Sequence, residues 1–394
     1  MRKVLLLGGD SDYNLGDAAI LAALCARLAA DGATQVTVTS SRSSPRLPPG
    51  ATAFITRGFS HSTELLRAAH AADLVVIGGG GLLQDDDSRV KMPYWASRVA
   101  TLRLANRNLV GHSVGAGPLR HLESQVAARF TCSALASISV RDPFAQAALS
   151  ACTRRPIDIV PDPAFMLAPA TSATADRYLA SIGVATGRPV IGLSLRKWFH
   201  SRGGFIPSRL RLAMGMRNDS GRAAMSGLLV QLAAALTPVA RRLGASLLLL
   251  PTYTATYEND SEICEAFARL ASDCEVRIAS IDDPALYKAV TGRLSVMVSS
   301  RMHPLILAAG MGTPVVGLAY NGKFEGMFDM LGIPRRMIWM DRIAGDLSVT
   351  LPRLIDEAMQ ANEGLQQRAA GLADIVRGRT SALLQQDAAL ARAA

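Results

Sequence analysis

The stretch Lys3-Val4-Leu5-Leu6-Leu7-Gly8-Gly9-Asp10-Ser11-Asp12-Tyr13-Asn14-Leu15-Gly16-Asp17, continued by Ala18 to Ala30, decides the fold. Val4 to Leu7 is an apolar run of strand length, two glycines end it, and an Ala/Leu-rich run of strong helix formers follows. Strand, glycine turn and helix in that order open a parallel α/β unit. Asp17 is a candidate N-cap for the helix. Asn14, Gly16 and Asp17 sit in a turn where glycine lets the backbone approach a ligand. The turn is neither G-x-G-x-x-G nor a Walker A loop, so dinucleotide and P-loop triphosphate binding lose their main support.

The same unit recurs along the chain. Short aliphatic runs stand at Lys3 to Leu7, Val36 to Thr39, Leu74 to Ile77, Leu109 to Ser113, Ile138 to Val140 and Ile157 to Val160, with helix-forming stretches between them. Several are apolar on consecutive residues, as expected of a parallel sheet covered on both faces. A second series follows at Val190 to Leu195, Ser246 to Leu250, Val276 to Ile278, Leu294 to Val298 and Pro314 to Ala319, with a long helix around Gly221 to Leu243. The expected fold is α/β, with two Rossmann-like doubly wound domains facing a cleft and helices at the C-terminus. The expected boundaries are residues 1–170, residues 185–345 and a helical segment 346–394, the junction lying in the Pro/Thr-containing stretch Ala168 to Pro189. Ligands of open parallel sheets bind beyond the carboxyl ends of the strands, so chemistry is sought in the loops that follow them.

Composition narrows the partners. The chain has 394 residues, 49% hydrophobic and 19% charged, and a formal net charge of +10, which excludes a disordered chain and favours anionic ligands. Five scattered cysteines without a C-x-x-C pair support neither a disulfide framework nor a zinc site. The first apolar run is too short for a signal peptide, and the longest uncharged stretch, Pro304 to Gly322, is interrupted by Gly and Pro. A cytoplasmic protein without a membrane-spanning helix is therefore expected. Asp85-Asp86-Asp87 reads as a solvated acidic turn, and no metal site is expected. From Arg196 to Arg222 seven basic residues and Asp219 are interleaved with Trp198, Phe199 and Phe205. No nucleic-acid motif accompanies them, so nucleic acid is not an expected partner.

Candidate site residues lie at strand ends. Gly78-Gly79-Gly80-Gly81 follows an apolar strand, and four glycines in a row, each costing about 0.5–1 kcal/mol relative to Ala within regular structure, argue for close contact at Gly79 and Gly80. Val140-Arg141-Asp142-Pro143 ends a strand and starts a helix at the proline, directing Arg141 toward the cleft. Val160-Pro161-Asp162-Pro163 is a stiff turn around Asp162. The most informative stretch is Val298-Ser299-Ser300-Arg301-Met302-His303-Pro304, where a strand ends and Pro304 suits a first helical turn. Ser300 and Arg301 at a helix N-terminus suit an anion, and His303 beside them can carry a proton. Tyr320-Asn321-Gly322-Lys323 adds a phenol and an ammonium at another strand end, making Tyr320 and Lys323 further binding candidates.

In order and spacing, Asn14-Leu15-Gly16-Asp17, the four glycines, Gly115-Ala116-Gly117-Pro118, Val140-Arg141-Asp142, Pro161-Asp162-Pro163, Ser299-Ser300-Arg301-Met302-His303 and Tyr320-Asn321-Gly322-Lys323 resemble the polysaccharide pyruvyl transferase family, over roughly Met1 to Gly332. The resemblance implies a glycosyltransferase-B-like architecture. It further implies transfer of pyruvate from phosphoenolpyruvate onto a cell-surface or lipid-linked saccharide as a ketal. Arg301, Arg141 and Lys323 would then clamp the phosphate and carboxylate of the donor. His303 would act as acid, and Asp17, Asp142 or Asp162 as base. No metal or organic cofactor is implied. The acceptor side would be the first domain and the phosphoenolpyruvate side the second. The basic Arg196 to Arg222 segment would give peripheral contact with the inner membrane surface. The rival reading is a nucleotide-sugar glycosyltransferase of the same fold. Many of those carry two Glu residues eight positions apart in the C-terminal half, and no two of the nine Glu residues here have that spacing.

Overall fold

The computed structural model describes residues 2–86, 88–185, 187–197, 219–255, 258–340 and 347–390. The basic stretch from Trp198 to Asn218, on which the expected membrane contact rests, lies outside the described residues. Eight strands build the first sheet: β1 (Arg2–Leu7), β2 (Ala33–Ser40), β3 (Ala53–Thr56), β4 (Leu74–Gly78), β5 (Gly81–Leu83), β6 (Leu109–Ala116), β7 (Ser137–Val140) and β8 (Asp158–Ile159). Their order is β3-β2-β1-β4-β6-β7-β8, with β5 paired on β6, and every pairing is parallel. The second sheet holds β9 (Val190–Ser194), β10 (Ser246–Leu249), β11 (Val276–Ile278), β12 (Val296–Ser299), β13 (Val315–Ala319) and β14 (Met337–Trp339), all parallel in the order β11-β10-β9-β12-β13-β14. The chain is thus an α/β protein of two doubly wound sheets. Three short strands, β3, β5 and β14, are absent from the apolar pattern of the sequence. Each is at most four residues long, so its pairing is set by the neighbouring strand rather than by its own pattern.

In the first half, α1 (Leu15–Ala30) covers one face of the sheet, while α2 (Ser62–Ala71), α3 (Lys91–Ala105), α4 (Leu122–Ala134) and α5 (Pro143–Ser150) cover the other. This follows from handedness: the connection from β1 to β2 moves one way along the sheet and those from β3 through β8 move the other, and right-handed crossovers place them on opposite faces. Asn14, not Asp17, caps α1, its side chain accepting from the Gly16 N–H at 3.0 Å. Asp17 lies in the first turn of the helix, where it accepts from the Asp10 N–H at 2.8 Å and from Asn14 Nδ2 at 3.1 Å.

The connector carries α6 (Ser172–Ser181), and the second half has α7 (Asp219–Leu243), α8 (Asp260–Leu270), α9 (Pro284–Thr291), α10 (Met302–Gly310) and α11 (Lys323–Met330). Ala223–Leu243 is long and apolar enough to cross a membrane by length and composition. Its Leu229, Leu232, Leu236 and Val239 instead pack into the core of the second domain, with Leu247, Leu249 and Val298.

The chain ends in two helices, α12 (Leu347–Gln360) and α13 (Leu365–Leu390). Leu365, Leu372, Leu383 and Leu384 of α13 join one continuous core with Leu24 and Leu28 of α1 and Leu305 and Ile306 of α10. At about 1.5–3 kcal/mol per fully buried aliphatic side chain, such a stripe fixes the last helix across both domains. Two buried polar contacts add to the joint. His112 Nε2 lies 3.0 Å from Thr380 Oγ1 on α13. Lys288 on α9 donates to Phe165 O at 3.0 Å and Leu167 O at 2.7 Å, and burial, with Arg377 nearby, lowers its ammonium to about 8.

Candidate active site

Between the carboxyl ends of the two sheets lies a cavity of about 530 Å³, lined by both domains. On its second-domain wall β12 ends at Ser299, Arg301 stands at the N-cap of α10, and His303 occupies the helix's second position. The imidazole rests against α1 of the opposite domain. A Cβ on Gly16 would come within 2.0 Å of His303 Nδ1, so only glycine permits this approach. On its other side, His303 Nε2 is 3.6 Å from Asp162 Oδ2, a distance for charge attraction rather than a hydrogen bond.

Asp162 joins the histidine to an arginine. Its Oδ2 also accepts from Arg141 Nη1 at 3.1 Å, and its Oδ1 from the Ala164 N–H at 3.0 Å. Burial by itself raises this carboxyl, but His303, Arg141 and the Ala164 N–H outweigh it and hold it at about 2. Arg141 also meets Asp142 at 3.3 Å, and burial, which opposes its charge, is more than offset by the two aspartates. Gly115 admits the guanidinium, since a Cβ there would stand 3.0 Å from Arg141 Cζ.

A second cluster of cations lies farther along the same wall. Arg301 Nη2 meets Asp260 Oδ1 at 2.5 Å and Glu258 Oε1 at 3.0 Å, with its guanidinium 5.3 Å from the Tyr253 ring centroid. Its Nε is buried without a hydrogen-bond partner among the described residues. Arg196 Nε meets Glu258 Oε1 at 3.0 Å, and its Nη1 donates to the Tyr320 hydroxyl at 2.6 Å. Lys323 Nζ stands 4.6 Å from the Tyr320 ring centroid. Burial would raise the Tyr320 phenol, yet Arg196 and Lys323 together bring it below its ordinary value.

Hydrogen bonds between the domains close the floor. Leu15 N donates to Thr252 O and Thr254 N to Tyr13 O, both at 2.9 Å, so Asn14 and Tyr253 pair as an antiparallel bridge. The Tyr253 hydroxyl donates to Asp10 Oδ2 at 2.8 Å. Burial raises the Asp10 carboxyl, with Tyr253 and Arg57 opposing it.

Seven of the residues expected from the sequence line the cavity together: Asn14, Asp17, Arg141, Arg301, His303, Tyr320 and Lys323. Asp162 stands directly behind His303 and Arg141. The others have different places. Gly16 supports the histidine ring, whereas Gly79 and Gly80, at φ of 70° and 73°, face α1: a Cβ would meet Ile20 at 2.1 Å from Gly79 and Asp17 at 2.8 Å from Gly80. Close packing against α1 accounts for these two glycines, and Gly9, Gly81 and Leu82 line the cavity nearby. Asp142 caps α5, accepting from the Ala145 N–H at 2.7 Å. Ser300 accepts from Arg196 N at 2.9 Å and positions that arginine. Asp85 is buried rather than solvated and accepts from the Arg120 and His121 N–H groups at 2.7 and 3.0 Å. Among the described residues no cluster of three His, Cys, Asp or Glu side chains could hold a metal ion.

The polysaccharide pyruvyl transferase family model matches residues 14–322, from the N-cap of α1 to the turn before Lys323. The chain belongs to the polysaccharide pyruvyl transferase family. No match was found among curated protein sequences. In fold, this family member is similar to a sucrose-phosphate synthase from Thermosynechococcus elongatus (TM-score 0.62, 14% identity, 99% of this chain and 100% of that one). It is likewise similar to a glycosyltransferase from Rickettsia africae (0.63, 10%, 98% and 98%) and a UDP-GlcNAc 2-epimerase from Neisseria meningitidis (0.55, 10%, 98% and 99%). Its architecture is therefore that of the GT-B glycosyltransferases.

Several lining residues of this pyruvyl transferase family member escaped the sequence reading: Asp10, Arg57, Lys91, Tyr94, Trp95, Tyr253 and Glu258. The rule that loops after parallel strands carry the site would have reached Tyr253 and Glu258, which follow β10, and Asp10, which follows β1. Arg57, Lys91, Tyr94 and Trp95 belong to no motif.

Proposed function

We propose that the protein transfers pyruvate from phosphoenolpyruvate to a saccharide, forming a cyclic ketal. The carrying observation is that His303, backed by Asp162, shares one interdomain cavity with Arg141, Arg196, Arg301 and Lys323. The donor bears a phosphate and a carboxylate and must be protonated on its methylene carbon, so it needs several cations around one acid. The guanidiniums of Arg196 and Arg301 are held by Glu258 and Asp260 and require little reordering when an anion enters.

In this reading His303 gives its proton to the methylene carbon, and a sugar hydroxyl attacks the resulting oxocarbenium carbon, losing its own proton to a carboxylate. Asp17, which lines the cavity from the first domain, is assigned as that base. Asp162 holds the proton donor, and Asp142, bound to the α5 N-terminus and Arg141, holds the arginine. The C–O bond to phosphate then breaks, and a second hydroxyl closes the ketal while phosphate carries off the last proton. The scheme calls on no metal and no organic cofactor.

Isothermal titration with phosphoenolpyruvate and, separately, with nucleotide sugars tests the reading on wild type and Lys323→Met. Donor binding that weakens about tenfold in the variant is expected from loss of one charge-assisted contact. Selective binding of a nucleotide sugar would replace pyruvyl transfer with glycosyl transfer.

A further inference from the structure

The outer layer of the first domain combines charge and exposed apolar surface in an unequal way. Leu122, Val126 and Phe130 recur every fourth residue on α4 and are 71%, 54% and 43% exposed. Residues at that spacing share one helix face. On α3, which packs beside α4 on the same side of the sheet, Leu104 is 89% exposed and Tyr94 is also exposed. An amphipathic surface helix ordinarily turns such residues inward. Here the inward face is already filled by Ala127, Ala128 and Cys132 of α4 and Met92, Trp95, Val99 and Leu102 of α3. The apolar stripe is therefore additional to the core.

The charge around it is one-sided. Between Ser88 and Ala134 the chain carries Arg89, Lys91, Arg98, Arg103, Arg107, Arg120 and Arg129 against one acid, Glu123, a net +6 out of the whole chain's +10. Glu123 is itself paired with Arg89 at 2.5 Å. The adjoining α5 has no charged residue. Exposed aliphatic and aromatic side chains among arginines suit a surface that is apolar within and anionic at its face, which is the interfacial layer of an acidic lipid bilayer. The amino-terminal turn of α3 also lines the cavity through Lys91 and Tyr94, so this surface reaches the mouth of the site.

We propose that the α3–α4 face docks on an anionic membrane, holding the cleft mouth at the lipid surface. The inference does not depend on the donor assignment, and its test uses no substrate. Flotation of the full chain is measured with phosphatidylcholine vesicles and with vesicles that also contain phosphatidylglycerol, at low and high salt. The expected result is salt-sensitive binding to the acidic vesicles alone. Combined Leu122→Ser, Val126→Ser and Phe130→Ser, and separately Arg103→Gln, Arg107→Gln and Arg129→Gln, should each reduce it, the arginine set by roughly 100-fold. Thermal unfolding of each variant, unchanged from wild type, establishes that folding is intact. Wild-type-like binding by both variants would overturn the proposal and move the contact elsewhere on the chain. Equal binding to neutral and acidic vesicles would also overturn it. So would a dimer in sedimentation equilibrium that the same substitutions dissociate, since the stripe would then face a second copy.

Discussion

The imidazole of His303 and the backbone of Gly16 meet across the two domains, with room for no methyl between them: a Cβ at Gly16 would lie 2.0 Å from Nδ1. The proposed acid is thus oriented by one domain from below, through α10, and by the other from the side, through α1. Its position depends on how the domains sit together, and the hydrogen bonds from Leu15 to Thr252 and from Thr254 to Tyr13 set that placement.

Gly16→Ala should therefore push the ring or part the domains. Overpacking a site of this kind costs about 1–3 kcal/mol, and turnover should fall further than stability because the acid is misplaced. Urea unfolding alongside ketal formation checks this. A variant with normal turnover would show that the histidine can move without consequence.

Asp162→Asn removes the carboxylate shared by His303 and Arg141 while keeping the shape. Breaking a buried ion pair from one side costs about 3–5 kcal/mol, although Asp142 still faces Arg141 and should moderate the loss. Because the folded carboxyl is held at about 2, below its usual 3.8, its stabilisation is present above about pH 4 and is lost as pH falls through about 2. At neutral pH the variant should show lower kcat with little change in donor KM, as a positioning role requires. A large rise in KM alone would place Asp162 in donor binding instead.

His112 gives the chain a second acid sensitivity. Burial, assisted by Arg379, lowers its imidazole to about 4 from 6.5, so the native state refuses a proton that the unfolded chain accepts. Stability should then fall as pH drops from about 6.5 toward about 4, by up to about 3 kcal/mol. Urea midpoints measured across that range should lose this slope in His112→Gln. A slope unchanged by the substitution would assign the acid loss to other groups.

Tyr253→Phe removes the hydroxyl that donates to Asp10 and leaves a half-buried carboxylate short of one partner. A loss of about 1–3 kcal/mol is expected, and burial should raise the Asp10 carboxyl further once the Tyr253 contact is gone. Domain opening measured by small-angle scattering should increase. Identical scattering from both proteins would mean that the backbone bridge alone holds the floor.

Much of the site could be read from the sequence because motif and element coincide. A strand that ends in Ser-Ser-Arg and passes at once into a helix with Pro304 near its start puts His303 at a helix N-terminus by local geometry alone. Val140-Arg141-Asp142-Pro143 does the same for Asp142 as a cap. The glycine loops were harder to interpret, because glycine reports close approach without saying what approaches. At Gly79 and Gly80 the approaching groups are Ile20 and Asp17, forty or more residues away only in sequence order and side by side in the fold. Tyr94, Trp95 and Arg57 carry no local signature, since each enters the cavity through the packing of an ordinary helix or strand end.

The sequence by itself determined most of the elements and their handed arrangement, β3, β5 and β14 excepted: consecutive aliphatic runs between helix-forming stretches specify two parallel sheets, and right-handed crossovers then settle which helices share a face. Tertiary structure alone decided which groups meet across the cleft. His303 with Gly16, Arg301 with Asp260, and Tyr253 with Asp10 come from different loops, and short-range preferences carry no information about such distances. Their pairing is set by the shared core of α1, α10 and α13, which fixes one domain against the other by burying apolar area that neither domain could cover alone.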